Sequence, residues 1–133
     1  MPDLVHPTLH DAVYRADALS SAELDALPYG MIQLDARGRV LRYSTAETRL
    51  SGLAAADVVG RDFFRDVAPC TQVAEFQGRF EEGVRARQLD AVFSFRFAFR
   101  PPRDVRVHLF YSQATRSVWV KVEELGRDLE DGA

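Results

Sequence analysis

The chain has 133 residues, enough for one domain whose folding removes about 65–70% of the unfolded surface from water, so no disulfide or metal staple is required. Hydrophobic residues make up 47% and charged residues 28%, which excludes extended disorder, and a net charge of -3 with arginines scattered among carboxylates excludes a nucleic-acid face. A single cysteine, Cys70, excludes an internal disulfide, no CxxC or histidine cluster offers metal ligands, and no run approaches the roughly 20 apolar residues of a membrane span, so a soluble, cytoplasmic, metal-free protein is predicted.

In chain order, residues 9–15 and the stretch from Ser20 read as short helices, the second opened by the capping box Ser20-Ser21-Ala22-Glu23. Pro28-Tyr29-Gly30 breaks this segment. Residues 31–35 then alternate into a turn at Asp35-Ala36-Arg37-Gly38, and residues 39–43 resume the alternation, which predicts a hairpin. Helical pieces follow at 45–50, ended by Gly52, at 54–59, ended by Gly60, and at 73–88. The period then changes to two. Residues 91–100 place Phe93, Phe95, Phe97 and Phe99 on one face, and 104–111 and 117–123 continue as antiparallel strands, separated by Pro101-Pro102 and Ala114-Thr115-Arg116.

A sheet with one wet side keeps polar residues there, yet opposite Val105, Val107 and Leu109 stand His108 and Phe110, and Trp119 stands opposite Val118, Val120 and Val122. That back face calls for a cover, and the spare apolar residues are Leu4, Val5, Leu9 and Val13. The expected organisation is therefore a cap over 1–27, held by modest contacts, a core over 28–125, and an acidic, disordered tail over 126–133, all in one domain.

Two places could carry chemistry. Tyr43, Glu47 and Ser51 fall at successive i, i+4 steps across a helix start, so their side chains can converge. The same local sequence also reads as a capping box, Ser44 with Glu47, in which the carboxylate only folds back on the helix end. Cys70, on the turn after Pro69, reads as a small buried hydrophobe or as a nucleophile. The best base for a nucleophile would be His108, which belongs to the other face of the sheet, while His6 and His10 lie in the cap.

Taken together, Tyr43-Ser44-Thr45-Ala46-Glu47, the run from Gly60 through Phe63-Phe64 to Ala68-Pro69-Cys70-Thr71, and the run from Glu75 to Val84 resemble the photoactive yellow protein family, in register from about Leu24 to Leu125. The resemblance implies an α+β PAS fold: a central antiparallel sheet of about five strands, helices on one face and the N-terminal helical cap on the other. It implies p-coumaric acid (4-hydroxycinnamic acid) held as a thioester on Cys70, its phenolate bonded by Tyr43 and a protonated Glu47, with Ser51 supporting Tyr43. The implied pocket wall is Ile32, Phe63, Val67, Ala68, Pro69, Phe97 and Leu53. The implied function is blue-light sensing: isomerisation of the pigment, proton transfer from Glu47, loosening of the cap and thermal recovery in the dark, with no enzymatic activity. No output domain follows in the sequence, so signalling is expected to act in trans on a downstream protein whose identity is unreadable.

The chain departs from the family's best-known members, which have Asn, Arg and Thr where Ser44, Leu53 and Ser51 stand here. Leu53 cannot replace a cation at the pocket entrance. A methionine that promotes recovery in the family is missing from the shortened loop at Arg100-Pro101-Pro102, and Ala98 and Phe99 replace polar residues, so slow dark recovery is expected. The competing readings are a PAS interaction module without this pigment and, more remotely, a cysteine hydrolase. A flavin sensor would need an Asn-Cys-Arg-Phe run and a haem sensor a histidine in the middle helices, and neither is present.

Overall fold

The structure, a computed structural model, describes residues 12–99 and 101–125. The predicted apolar residues Leu4, Val5 and Leu9, the start of the first helix, Arg100 and the tail over 126–133 lie outside the described residues. Five antiparallel strands, β1 (Gly30–Leu34), β2 (Val40–Tyr43), β3 (Asp90–Phe97), β4 (Arg103–Ser112) and β5 (Ser117–Glu124), form one sheet in the order β2-β1-β5-β4-β3. The β1–β2 hairpin turns where expected, with the Gly38 amide donating to the Asp35 carbonyl at 2.9 Å and Gly38 taking the positive φ of 86° that a tight turn demands. The long excursion from β2 to β3 carries α2 (Thr45–Ser51), α3 (Ala55–Val58) and α4 (Arg79–Ala86), preceded in the chain by α1 (Ser21–Asp25). The capping box that opens α1 is complete: Glu23 N donates to Ser20 Oγ and Ser20 N donates to Glu23 Oε1.

The alternation in the sequence sets the two faces. Ile32, Leu34, Val105, Val107, Leu109, Val118, Val120 and Val122 point to the helical side and join Tyr43, Phe63, Phe64, Phe76, Phe80 and Phe97 in the main core. On the other side Trp119 and Met31 pack with Ala12, Val13 and Ala16 of a 3-10 helix (Ala12–Ala18) and with Leu24 of α1, Phe110 lying at the edge. Trp119 is 1% exposed, so the back face is covered as the pattern required.

The attachment of that cover is stronger than the modest contacts expected of it. Asp17 Oδ1 accepts from Trp119 Nε1 at 2.8 Å and from Thr115 Oγ1 at 3.0 Å, and Oδ2 accepts from Ser112 Oγ. Tyr14 donates to Asp90 Oδ2 at 2.9 Å, and Asp90 holds His108 Nε2 at 2.6 Å. A carboxylate serving three donors, on β4, on β5 and on the turn between them, is a directional clamp, and bonds to charged groups are worth about 1.5–3 kcal/mol each.

Two further differences lie in the middle of the chain. Residues 63–67 and 74–78 each form a single π-helical turn, the first seen as Ala68 N donating to Phe63 O at 2.8 Å, so the helix expected over 73–88 is a π turn (Ala74–Gly78) followed by α4. The wider turn lets the adjacent Phe63 and Phe64 both reach the core, at 1% and 2% exposure, with their rings edge-to-face at 5.2 Å. In addition β3 ends at Phe97, and Phe99 continues past the strand to stack flat on Phe97 at 4.9 Å.

Candidate functional site

The site begins at the junction of β2 and α2. Ser44 caps α2, its Oγ accepting from Glu47 N at 3.3 Å, but it also accepts from Met31 N at 3.0 Å while Ser44 N donates to Met31 O at 3.0 Å. Because the Ser44 amide is taken by Met31, the reciprocal half of a capping box is not formed and Glu47 is left free for another role. Gly52 closes the helix in the left-handed conformation, φ 79°, with its amide on Thr48 O at 2.7 Å.

Of the three residues at i, i+4 steps, two are joined directly. Tyr43 and Ser51 share a hydroxyl–hydroxyl hydrogen bond at 2.7 Å, and Ser51 Oγ also accepts from Leu53 N at 3.1 Å. Glu47 is 1% exposed, and its Oε1 is buried without a hydrogen-bond partner. Burial pushes the Glu47 carboxyl up to about 8, so it carries its proton at neutral pH. The Tyr43 hydroxyl is held above the usual phenol range, first by burial and then by the negative charge Glu47 would carry, with the Ser51 bond opposing both. The pair thus presents two neutral, proton-bearing groups in a dry setting, which suits an anionic oxygen and offers a cation no countercharge.

Of the residues predicted for the wall, all but Pro69 lie in or against one buried cluster. Ile32 on β1, Phe63 and Val67 on the first π turn, Ala68, and Phe97 on β3 belong to the same buried cluster as Tyr43, and Leu53 and Cys70 lie half-buried against it. Pro69 is exposed; it opens the 3-10 turn (Pro69–Thr71) that presents Cys70. That turn is fixed by Thr71, whose amide and hydroxyl both donate to Ala68 O, at 2.9 and 2.6 Å. The Cys70 thiol accepts from Ala98 N at 3.5 Å. His108 is engaged by Asp90 and Tyr14 on the opposite face of the sheet, so no Cys70–His108 pair is assembled. Among the described residues no cluster of His, Cys, Asp and Glu could hold a metal and no helix is long and apolar enough to cross a membrane. Two residues escaped the sequence reading: Asp17, which no local pattern distinguishes, and Gly30, which reads there only as a breaker after Pro28-Tyr29.

The sheet order, the helical excursion between β2 and β3 and the buried site they enclose define a PAS domain, and the model of the PAS fold family matches residues 19–126. A photoactive yellow protein of Halochromatium salexigens is 40% identical over 124 residues, covering 92% of this chain and 99% of that protein. One of Rhodothalassium salexigens is 41% identical over 108 residues, covering 80% and 86% respectively. The photoactive yellow protein domain of the sensor histidine kinase Ppr from Rhodospirillum centenum superposes with a TM-score of 0.78 at 41% identity, covering 84% of this chain and 96% of that domain. The chain belongs to the photoactive yellow protein family of PAS photoreceptors.

Proposed function

We propose that this chain is a blue-light sensor that carries p-coumaric acid as a thioester on Cys70, with Tyr43 and Glu47 bonding its phenolate and Ser51 orienting Tyr43. The observation that supports this most is the Glu47 carboxyl, buried with its Oε1 unpartnered on the helix that follows Tyr43 and ends at Ser51: a buried polar group without a partner needs a reason, and a bound phenolate would supply one. Ile32, Phe63, Val67, Ala68, Leu53 and Phe97 would form the apolar wall. The bound group supplies absorption of blue light and a double bond that isomerises.

The residues have a definite task. An ionised phenol at neutral pH needs its usual value of about 10 lowered by roughly 3 units, on the order of 4 kcal/mol, and burial works against this. Two hydrogen bonds to a charged acceptor, at about 1.5–3 kcal/mol each, are of the right size. Glu47 can donate only while protonated, and its raised pKa keeps it so. When light breaks this arrangement, Glu47 gives its proton to the phenolate oxygen and becomes a buried carboxylate, and Leu53 offers it no countercharge. The cost loosens the cap over Trp119 and Phe110, which the start of α2 touches through its hydrogen bonds, and the exposed face is read by a signalling protein in trans. Thermal return in the dark resets the site, which makes the cycle that of a sensor and not of an enzyme, with no metal or nucleic acid involved.

The test is reconstitution with an activated p-coumaroyl ester: the Cys70 thiolate attacks the acyl carbon and displaces the leaving group. The expected result is a mass gain of one p-coumaroyl group less the thiol hydrogen, a yellow colour and bleaching in blue light, all three lost in Cys70→Ala. A chain that stays colourless and unmodified is instead a PAS module for another ligand or none.

A further inference from the structure

Glycine enters a strand either because the backbone needs a positive φ or because something must come close. Gly30, the first residue of β1, has no positive φ; those described are Gly38, Gly52 and Gly60. It is buried and pairs in regular register with Val122 of β5. Its reason is therefore space. A Cβ built on Gly30 would stand 2.0 Å from Glu47 Oε1, 3.1 Å from its Cδ and 3.3 Å from its Cβ. Rotating the carboxyl would relieve the first contact only, because Glu47 Cδ and Cβ also lie close to the position a Cβ on Gly30 would take. Nor can the helix step back: Ser44 staples the start of α2 to the residue after Gly30 through both polar groups of the Met31 backbone.

We propose that Gly30 is the positioning residue for Glu47, its missing side chain forming the slot in which the proton-donating carboxyl lies, so that any larger residue at 30 drives that carboxyl out of place. The proposal rests on the reading that Glu47 serves the phenolate. Gly30→Ala in the reconstituted full-length chain should bind pigment, shift its absorption to longer wavelength by most of the shift that Glu47→Gln produces, and displace or abolish the infrared band of the Glu47 carboxyl. The longer wavelength follows because a weakened donor leaves more of the negative charge free to spread over the ring. In a Glu47→Ala background the slot is empty, so adding Gly30→Ala should change the spectrum no further. In the apoprotein the 13C resonance of the Glu47 carboxyl should move in Gly30→Ala.

A Gly30→Ala protein with wild-type spectrum, band and resonance overturns the proposal, as does an equal spectral shift in the Glu47→Ala background. If Gly30→Ala alone does not fold, recovery of folding in the double variant supports the clash with Glu47, and a double variant that stays unfolded while Glu47→Ala folds overturns it. Wild-type protein that takes up no pigment overturns the functional reading instead, and the apoprotein resonance then decides the role of Gly30 by itself.

Discussion

Glu47 had two readings in the sequence, and one backbone bond separates them. A capping box needs the Ser44 amide, and that amide donates to Met31 across the hairpin, a long-range partner that no local motif reveals. The Tyr43–Ser51 contact, in contrast, was suggested by the i, i+4 spacing, although Tyr43 ends β2 and the extended Ser44 that joins it to α2 also sets the approach. The buried carboxyl also leaves a signature in the apoprotein. Its folded pKa of about 8 lies above the ordinary 4.5, so between these values the unfolded chain releases the proton and the folded chain keeps it. Stability is then full below the lower value and falls as pH rises, by up to about 1.4 kcal/mol per pH unit, until the folded form titrates too. Glu47→Gln should remove this slope: urea midpoints of wild type and variant, compared from pH 5 to pH 8, should diverge in favour of the variant as pH rises. Parallel curves would mean that Glu47 is not buried as a neutral acid.

At the scale of elements, the hairpin, the Ser20 capping box, the Gly52 stop and the three long strands were readable, because each rests on a period or on a residue with a fixed conformational preference. The two π turns were not. Their bonds span five residues, a spacing whose apolar period matches neither helix nor strand, and they are stabilised by rings distant in sequence: Phe76 meets Phe63 and Phe64 at 5.9 and 6.0 Å and Phe95 at 5.2 Å. The strength of the cap was equally illegible, since nothing near Asp17 points to Ser112, Thr115 and Trp119. Asp17→Ala would strand the buried indole N–H of Trp119 and remove three bonds at once. The open fraction of the cap in the dark should rise tenfold or more, seen as faster amide exchange or proteolysis across Ala12–Ala18 and red-shifted Trp119 fluorescence, with Asp17→Asn intermediate. Unchanged protection would show that apolar packing alone holds the cap.

For the molecule as a whole, alternation assigned the two faces of the sheet correctly because a strand's side chains have no other choice of side. What the pattern could not convey is how the faces communicate. Met31, packed under Trp119, is bonded through its backbone to Ser44 at the head of the Glu47 helix; Thr45 N donates to Asp25 Oδ1 at 3.0 Å, and Arg42, lying over the Trp119 ring, donates to Leu19 O at 2.9 Å. The start of α2 is therefore tied to the cap by hydrogen bonds, and a change of charge on Glu47 need travel only one helical turn to reach it. That account depends on the carboxyl being protonated in the dark. Difference infrared spectroscopy of the reconstituted protein, with Glu47→Gln to assign the band, tests it most directly. The account predicts a protonated Glu47 carbonyl band in the dark that disappears under blue light and returns on recovery; an ionised Glu47 in the dark, or a band that light leaves untouched, would contradict it.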